Sequence, residues 1–483
     1  MRSLGYCALC HRHQRQRHRF GWPSRSVARQ PPRQHQNSGA VHRSAVLTSS
    51  TISPRTVLRG ARWPGDIAIT GDQIVASGNV APQPGDEVIR VDGDIITAGL
   101  VNTHHHLYQW MTRGRAVGCD LFGWLVELYP IWGRLTVEDV RAAALVGLGE
   151  LAISGCTSAS DHHYLVPHGD DTVFDAIVEA ATTVGIRLHL NRGSMDLGES
   201  QGGLPPDHVV EDLDSIMAST ERIITQHHDG YMVHVVVAPC SPFSVSSELM
   251  EASAALARQH ELRLHTHLCE TVDEQAHCLE RFGRRPVEQL AEWGWVDHDV
   301  WLAHGIWIND PEIAQLGTAG VGVAHCPSSN ARLAAGICRV TDLEAAGVPV
   351  GLGVDGVASN EVGGLFPELR QSLYAARLRT ESADAFMPAD ALRLGTSGGA
   401  SCLGVADKLG TLQPGMLADL AVWPGEDIAD IADPLTGLVL GPDRQVRHLY
   451  VAGQPVVQDG QLLGYDLTEA HADLARKSRR LWA

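Results

Sequence analysis

The sequence predicts a (β/α)8 TIM-like barrel of the α/β class, joined to a small β-sandwich domain built from both chain ends. Three observations favour this architecture. Short apolar runs alternate with helical stretches between residues 96 and 404. Several of these runs end in His or Asp, where barrels carry their functional side chains. The flanking regions, 46–95 and 405–465, show short alternating apolar pieces separated by Gly-Asp turns, which is a hairpin pattern.

The overall composition excludes several classes of protein. The chain has 483 residues, 44% of them apolar, which is enough for a large core. No stretch approaches the ~18 consecutive apolar residues of a membrane-spanning helix. A net charge of −18 disfavours nucleic acid as a partner, and ten scattered cysteines indicate a reducing cytoplasm rather than a disulfide framework. We therefore expect a cytoplasmic homo-oligomer that acts on a small molecule.

Residues 1–45 differ from the rest of the chain, because they contain nine Arg and no Asp, Glu or Lys. Their apolar run is too short for a secretory signal, whereas this Arg-rich composition is also typical of transit peptides. Cys7, Cys10 and His11 match the spacing of a c-type haem attachment site, but no export signal precedes them and we expect no haem. We expect a disordered tail or a wrongly chosen upstream start codon, with the folded protein beginning near Val46.

Eight apolar runs are candidates for the barrel strands. Helical stretches such as residues 138–154 and 247–260 separate many of them. The final residues, 466–483, have the pattern of an amphipathic helix that closes the chain. The eight runs are ITAGLVN (96–102), CTSASD (156–161), IRLHLN (186–191), HVVVAP (234–239), LRLHTHL (262–268), VWLAHG (300–305), GVGVAHC (320–326) and VPVGLGVD (348–355).

Three consecutive histidines follow the first run, and strand geometry separates them. Successive side chains of a strand point to opposite faces, so His104 and His106 can face the barrel mouth while His105 points away. Two imidazoles at positions i and i+2 suit a divalent metal ion, and His267 and Asp355, each at a strand end, are candidates for completing the site. Nitrogen and oxygen ligands without thiolate favour Zn²⁺, with Fe²⁺ as the alternative.

Taken in order, these strand ends form the pattern of a known family. The stretches GLVNTHHH, HTHLCE, LAHG and GVDG resemble the amidohydrolase superfamily in its mononuclear deaminase and chlorohydrolase branch, over nearly all of residues 46–465. The resemblance implies one divalent metal, since the fourth run does not end in the lysine that binuclear members carbamylate. The implied ligands are His104, His106, His267 and Asp355, and the implied proton-transfer groups are Glu270, His304 and Asp355.

The resemblance also implies a mechanism. The metal lowers the pKa of water, and the resulting hydroxide attacks an sp² carbon that carries an amino group. Asp355 accepts the water's proton, His304 orients the hydroxide, and Glu270 protonates the neighbouring ring nitrogen. The proton on Asp355 then leaves with ammonia. His265 shares the strand parity of His267 but lies one pleat deeper, so we expect it to support the site or to pack in the core.

Within this branch, several stretches are similar to the 8-oxoguanine deaminases. They include NTHHHLYQ, SDHHYL, APCSPFSVS and HCPSSNARLAAGI. The resemblance implies hydrolysis of 8-oxoguanine to urate and ammonia; the alternatives are other flat heterocycles such as hydroxyatrazine, isoxanthopterin or guanine. A different class of zinc deaminase, with H-x-E and P-C-x-x-C, is excluded because Pro239-Cys240 lacks the second cysteine.

The substrate contacts are less determined by the sequence. Guanine deaminases have a glutamine at the spacing of Gln109, whose amide offers both a donor and an acceptor to a ring edge. They also carry Arg-Phe where this chain has Pro242-Phe243, which argues against plain guanine. The candidate substrate contacts are Gln109, Arg192, Trp124, Cys240 and Ser241, with Tyr129 and Trp132 as further aromatic candidates and Asn330 at the rim. A surface amide for Gln109, a structural ion pair for Arg192 and plain packing for the aromatic residues remain open.

Overall fold

The computed structural model describes residues 54–482, in which eight parallel strands close a barrel. This confirms the predicted fold class. The basic region 1–45 and its haem-like motif lie outside the described residues. In chain order, the barrel strands are Leu100–Asn102, Cys156–His163, Arg187–Ser194, Val233–Pro239, Leu264–Leu268, Val300–His304, Gly322–His325 and Val350–Leu352.

Helices separate the barrel strands and cover the outside of the barrel. Thr136 caps one of the long helices by accepting a hydrogen bond from the backbone N–H of Asp139. The α-helices are Leu121–Trp132, Val137–Ile153, Thr172–Val184, Leu213–His227, Ser247–Gln259, Val272–Phe282, Pro286–Glu292, Asp310–Ala319, Pro327–Arg332, Val340–Ala345, Phe366–Thr380, Pro388–Arg393, Gly399–Cys402, Pro434–Leu440 and Leu467–Trp482. Among the described residues, no helix has the length and apolar character needed to cross a membrane.

Both ends of the described chain contribute to two small sheets. The four-stranded sheet contains Thr56–Arg59, Asp66–Thr70, Gln73–Gly78 and Glu87–Arg90, and the five-stranded sheet contains Ile95–Ala98, Leu420–Trp423, His448–Val451, Gln454–Gln458 and Gln461–Leu462. Leu58 and Ile67 of the first sheet share one apolar cluster with Ile96 and Leu420 of the second. The two sheets therefore bury a common core, as a sandwich does.

The first predicted run divides between the two parts of the fold. Ile95–Ala98 pairs antiparallel with Leu420–Trp423 in the small domain, and the barrel begins only at Leu100. Gly99 lies at the crossover, where a Cβ atom would stand 2.2 Å from the side chain of Thr157. Only glycine fits this close approach. The barrel thus starts four residues later than the alternation of the sequence suggests.

The site lies at the carboxyl ends of the barrel strands, where a short 3₁₀ helix, Leu107–Thr112, follows the first strand. The amide of Leu107 donates to Asp161 over 2.8 Å, which ties the start of the segment to the second strand. The C-terminal helix holds its other end, because the Ser478 hydroxyl and the Trp482 indole both donate to the carbonyl of Met111, at 2.6 and 3.2 Å. The last element of the chain therefore supports a wall of the site.

Candidate metal centre and active-site cavity

Four of the predicted site residues converge at the barrel mouth. Nε2 of His106 lies 3.1 Å from Nε2 of His267. Oδ1 of Asp355 lies 3.3 Å from Nε2 of His106 and 3.5 Å from Nε2 of His104. The short pairing of His105–His106 with Asp355–Gly356 brings the first and eighth strand ends together. The structure thus brings nitrogen atoms of three imidazoles and an oxygen of Asp355 close together.

Hydrogen bonds to backbone carbonyls fix the tautomers of two of these imidazoles. Nδ1 of His106 lies 2.6 Å from the carbonyl of His162, and Nδ1 of His267 lies 2.7 Å from the carbonyl of Cys240. A carbonyl oxygen only accepts hydrogen bonds, so both Nδ1 atoms carry the proton. In the neutral rings, the two Nε2 atoms therefore present lone pairs to each other, and a cation between them would relieve this repulsion.

A longer relay fixes the ring of His104. Nδ1 of His265 donates to the carbonyl of Trp301 over 2.9 Å, which leaves Nε2 of this histidine as an acceptor. Burial lowers the pKa of His265 to about 3, so the ring is neutral. Nδ1 of His104, 2.8 Å away, must then be the donor. The buried Nε2 of His104 consequently carries a lone pair, and it has no hydrogen-bond partner among the described residues.

Asp355 is held by the backbone of its neighbour and by the short helix Pro327–Arg332 after the seventh strand. Oδ1 accepts from the backbone N–H of Gly356 over 2.7 Å, and Oδ2 accepts from the hydroxyl of Ser329 over 2.6 Å. Burial alone would raise the pKa of Asp355, but the electrostatic influence of the nearby histidines, His304 and His106 among them, holds it well below its usual range. The carboxylate is therefore ionised and oriented towards the imidazoles.

His304 and Glu270 form a second pair beside this cluster. Nε2 of His304 lies 3.7 Å from Glu270 Oε2 and 4.0 Å from Asp355 Oδ2. Its Nδ1 donates to the amide oxygen of Asn330 over 3.0 Å, which aims Nε2 at the two carboxyl groups. Burial would lower the pKa of His304, but the charges of Glu270 and Asp355 raise it above its ordinary value.

The side chain of Glu274 holds the backbone that carries Glu270. Its two carboxyl oxygens accept from the N–H groups of Cys269 and Glu270, at 2.9 and 3.0 Å. Cys269 adopts a left-handed conformation with φ 56°, which is strained for a residue with a side chain. Burial raises the pKa of Glu270 to about 7, so a substantial fraction of this carboxyl is protonated at neutral pH.

A cavity with aromatic and apolar walls opens above these groups. Asp355, His106, His267, Glu270 and His304 form its polar end. The other residues that line it are Gln109, Leu121, Trp124, Leu125, Tyr129, Tyr164, Leu204, Pro205, Cys240, Ser241, Phe243, Ser244, Glu274 and Leu333. A flat, largely apolar ring with polar groups along its edges fits such an environment.

Most of the predicted substrate contacts lie at this cavity. Gln109, Trp124, Cys240 and Ser241 line it, and Oε1 of Gln109 is buried without a hydrogen-bond partner among the described residues. Burial raises the pKa of the Cys240 thiol to about 12, so this sulfur is neutral and is not a nucleophile at neutral pH.

Arg192 and Trp132 lie outside the cavity lining. The Arg192 guanidinium forms two hydrogen bonds with the carboxylate of Glu211, at 2.7 and 2.9 Å, and it is buried. This bidentate ion pair is the alternative that the sequence left open for Arg192. Trp132 packs behind the wall and donates from its indole to the hydroxyl of Thr112.

Several residues of the site had no assigned role in the sequence reasoning. His162 donates from Nε2 to the carbonyl of Ala238 over 2.8 Å, and a ring nitrogen of His162 lies within 4.8 Å of nitrogen atoms of His104, His106 and His267. Ser329 bonds Asp355, and Glu274 bonds the backbone at Glu270. The SDHHYL and PSSN stretches and the spacing of the two glutamates were the available signals.

Known proteins with similar sequences include several named as deaminases. The chain is 46% identical to the 8-oxoguanine deaminase of Pseudomonas aeruginosa over 402 residues, which is 82% of this chain and 89% of that protein. It is 36% identical to an isoxanthopterin deaminase from an unknown prokaryotic organism over 477 residues, 90% of this chain and 99% of that protein.

Solved structures with the same fold include the zinc complex of atrazine chlorohydrolase from Arthrobacter aurescens. It superimposes with a TM-score of 0.82 at 31% identity and covers 88% of this chain and 100% of that one. The sequence profile of the Amidohydrolase family matches residues 95–456, which include every member of the convergent cluster. The chain is therefore a metal-dependent hydrolase, and it belongs to the amidohydrolase family.

Proposed function

We propose that the chain deaminates 8-oxoguanine hydrolytically, producing urate and ammonia. The observation that carries the proposal is the convergence of three imidazole lone pairs and one carboxylate at the polar end of an aromatic cavity. The 46% identity to a protein named 8-oxoguanine deaminase supports the choice of substrate.

We propose one divalent metal, zinc, with His104, His106, His267 and Asp355 as its ligands. Two ligand atoms about 2.0–2.1 Å from a tetrahedral ion lie about 3.3–3.4 Å apart. Three of the distances between the ligand atoms, 3.1, 3.3 and 3.5 Å, agree with that separation. The lone pairs that face one another, including the unpartnered Nε2 of His104, also fit a cation. When bound, the ion would supply hydroxide at neutral pH by lowering the pKa of water.

The remaining steps belong to side chains of this protein. Asp355 accepts a proton from the attacking water on Oδ2, the oxygen that faces His304. Glu270, protonated in part because burial raises its pKa to about 7, donates to the ring nitrogen beside the attacked carbon. The proton on Asp355 then passes to the amino group, which departs as ammonia. The hydroxyl proton of the tetrahedral carbon returns to Glu270, so both carboxyl groups regain their starting state.

The cavity walls would orient the ring. Trp124 and Tyr129 offer flat faces, and Gln109 offers an amide edge with an unpartnered oxygen. Because the amide of Gln109 is buried, a hydrogen bond between it and a substrate ring would contribute more than a solvent-exposed hydrogen bond provides. The lactam edge of an oxidised purine supplies N–H and C=O groups for such a bond.

Comparative kinetics test the substrate. Zinc-loaded protein is mixed separately with 8-oxoguanine, guanine, isoxanthopterin and hydroxyatrazine, and release of ammonia or ethylamine is measured. We expect the highest kcat/KM with 8-oxoguanine. Negligible turnover of 8-oxoguanine, together with rapid turnover of another ring, would reject this substrate and leave the hydrolytic chemistry intact. Assembly into a homo-oligomer and a cytoplasmic location remain predictions from the sequence.

His265 is expected to act through the metal centre, because it holds His104 in the tautomer whose Nε2 can bind an ion. Replacing His265 with Leu should weaken zinc affinity by about 10–100-fold, the usual effect of losing a group that orients a ligand. Metal titration against a chelator measures this. His189→Leu is a matched control, since His189 is a buried histidine stacked on His234 at a distance from the cluster. Equal zinc affinity in His265→Leu and His189→Leu would contradict the role of His265 in orienting His104.

A further inference from the structure

The side chain of Gln109 occupies the space in which a side chain at position 356 would lie. A Cβ atom built on Gly356 would stand 1.8 Å from Oε1, 2.0 Å from Cδ and 2.5 Å from Nε2 of Gln109. These three amide atoms are its nearest neighbours. The backbone of Gly356 lies outside the left-handed region, so its conformation does not itself require glycine. The closest obstacle to a side chain at position 356 is therefore the Gln109 amide.

We propose that Gly356 is a specificity-determining residue, whose missing side chain lets the Gln109 amide pack against the backbone at position 356 in the wall of the cavity. This inference rests on the proposed function, because it deepens the role of the same site. The ligand chemistry is a flat amino-heterocycle with a polar edge that meets the amide of Gln109 in the cavity wall. A side chain at position 356 would move that amide and change which ring edges are bound.

If position 356 carried a side chain, the Gln109 amide would have to move without its backbone, because the segment that carries Gln109 is held at both ends. Leu107 N–H donates to Asp161, and the carbonyl of Met111 accepts from Ser478 and Trp482. The 3₁₀ segment therefore cannot shift away from a methyl group at position 356 without breaking these hydrogen bonds. The glutamine side chain, by contrast, rotates about its own bonds.

The neighbouring Gly353 differs from Gly356, because a side chain there would not meet the end of a flexible side chain. At Gly353 a Cβ atom would stand 2.9 Å from Sγ of Cys326 and 2.9 Å from Cβ of His104. Both are short, packed groups that cannot yield. Alanine at position 353 would consequently disturb the metal centre, whereas the three atoms nearest to a methyl group at position 356 belong to the end of a flexible side chain. The Gly356→Ala variant also retains the backbone N–H of residue 356, which donates to Oδ1 of Asp355.

A double-mutant cycle tests the proposal. Gly356→Ala, Gln109→Ala and the double variant are compared by kcat/KM on the heterocycle that the wild type prefers. Each single change should reduce kcat/KM by about 10–100-fold, mainly through KM, because a buried hydrogen bond to the ring is lost. The double variant should be no worse than Gln109→Ala alone, since the three atoms nearest to the methyl group are then absent. The inference would be overturned if the two single losses in kcat/KM multiplied in the double variant, or if Gly356→Ala left kcat/KM unchanged.

Two controls separate this outcome from other failures. Gly118→Ala is the matched glycine substitution, because a Cβ atom there meets nothing within 4 Å, and it should leave kcat/KM unchanged. Zinc content should remain at the wild-type level in all three cycle variants. If the wild type prefers a ring other than 8-oxoguanine, the substrate proposal fails. The double-mutant cycle, measured with that other ring, still tests the role of Gly356.

A crystal structure of Gly356→Ala tests the same point without turnover. We expect the Gln109 amide to rotate away from position 356 while the backbone of residues 354–357 stays in place. An unmoved amide with a displaced 354–357 backbone would overturn the inference. If Gly356→Ala is poorly folded, the double variant provides the decisive comparison: recovery of folding identifies the Gln109 amide as the clash, and a double variant that remains unfolded contradicts it.

Discussion

Asp355→Asn is expected to abolish deamination, with a loss of kcat/KM that exceeds the ~10⁴-fold upper range for losing a general acid or base. The carboxylate lies 3.3 and 3.5 Å from two imidazole nitrogens and also faces His304. An amide in its place would lack the negative charge that complements a metal ion and could not accept the water's proton. Both proposed roles of Asp355 therefore fail together. Steady-state kinetics and zinc analysis of the purified variant measure them separately.

Asp161→Asn is the matched control for this substitution. Asp161 is a buried carboxyl at the end of the second barrel strand, and it accepts from the N–H of Leu107. Burial raises its pKa to about 7, so a neutral amide oxygen can replace much of its function. We expect this variant to retain activity within an order of magnitude. Zinc-dependent activity that persisted in Asp355→Asn would contradict the assigned ligand set.

Glu270→Gln is expected to reduce kcat by about 10²–10⁴-fold while zinc binding is retained, since this range is usual for a lost general acid. The side chain lies 3.7 Å from His304 at the polar end of the cavity, and it is absent from the imidazole cluster itself. Glutamine preserves the size and polarity of the group but cannot transfer a proton. A loss in kcat at constant metal content therefore isolates proton transfer from metal binding.

Glu368→Gln provides the comparison at a similar carboxyl group. Glu368 is also fully buried, and burial raises its pKa to about 7, yet it accepts hydrogen bonds from Ser328 and Asn360 rather than lining the cavity. Its replacement should affect thermal stability more than kcat. A Glu270→Gln variant with more than a tenth of the wild-type kcat would show that another group protonates the ring.

Residues on one strand could be assigned from the sequence, because strand parity is a local property. His104 and His106 face the same point, as alternation predicts, and the ring of His105 instead accepts from the N–H of His106 through Nδ1. The strand-end position of His267 and Asp355 was likewise sufficient to bring them to the same mouth. The ligand roles themselves stay predictions until metal binding is measured.

Contacts between segments that are far apart in the chain could not be predicted from the sequence. The partner of Arg192 is Glu211, which lies in a loop after the third strand, and nothing local distinguishes that ion pair from a substrate contact. The hydroxyl of Ser329 reaches Asp355 across two neighbouring strand ends. The division at Gly99 depends on the approach of Thr157, which only the folded chain reveals.

The most direct test of the account is the fate of 8-oxoguanine in water enriched in oxygen-18. Zinc-loaded protein is incubated with the purine, and the product is analysed by mass spectrometry together with an ammonia assay. The account predicts urate that carries one oxygen-18 atom, formed in equal amount with ammonia and absent with Asp355→Asn. Unlabelled product, or intact 8-oxoguanine under conditions in which another heterocycle is consumed, would contradict it.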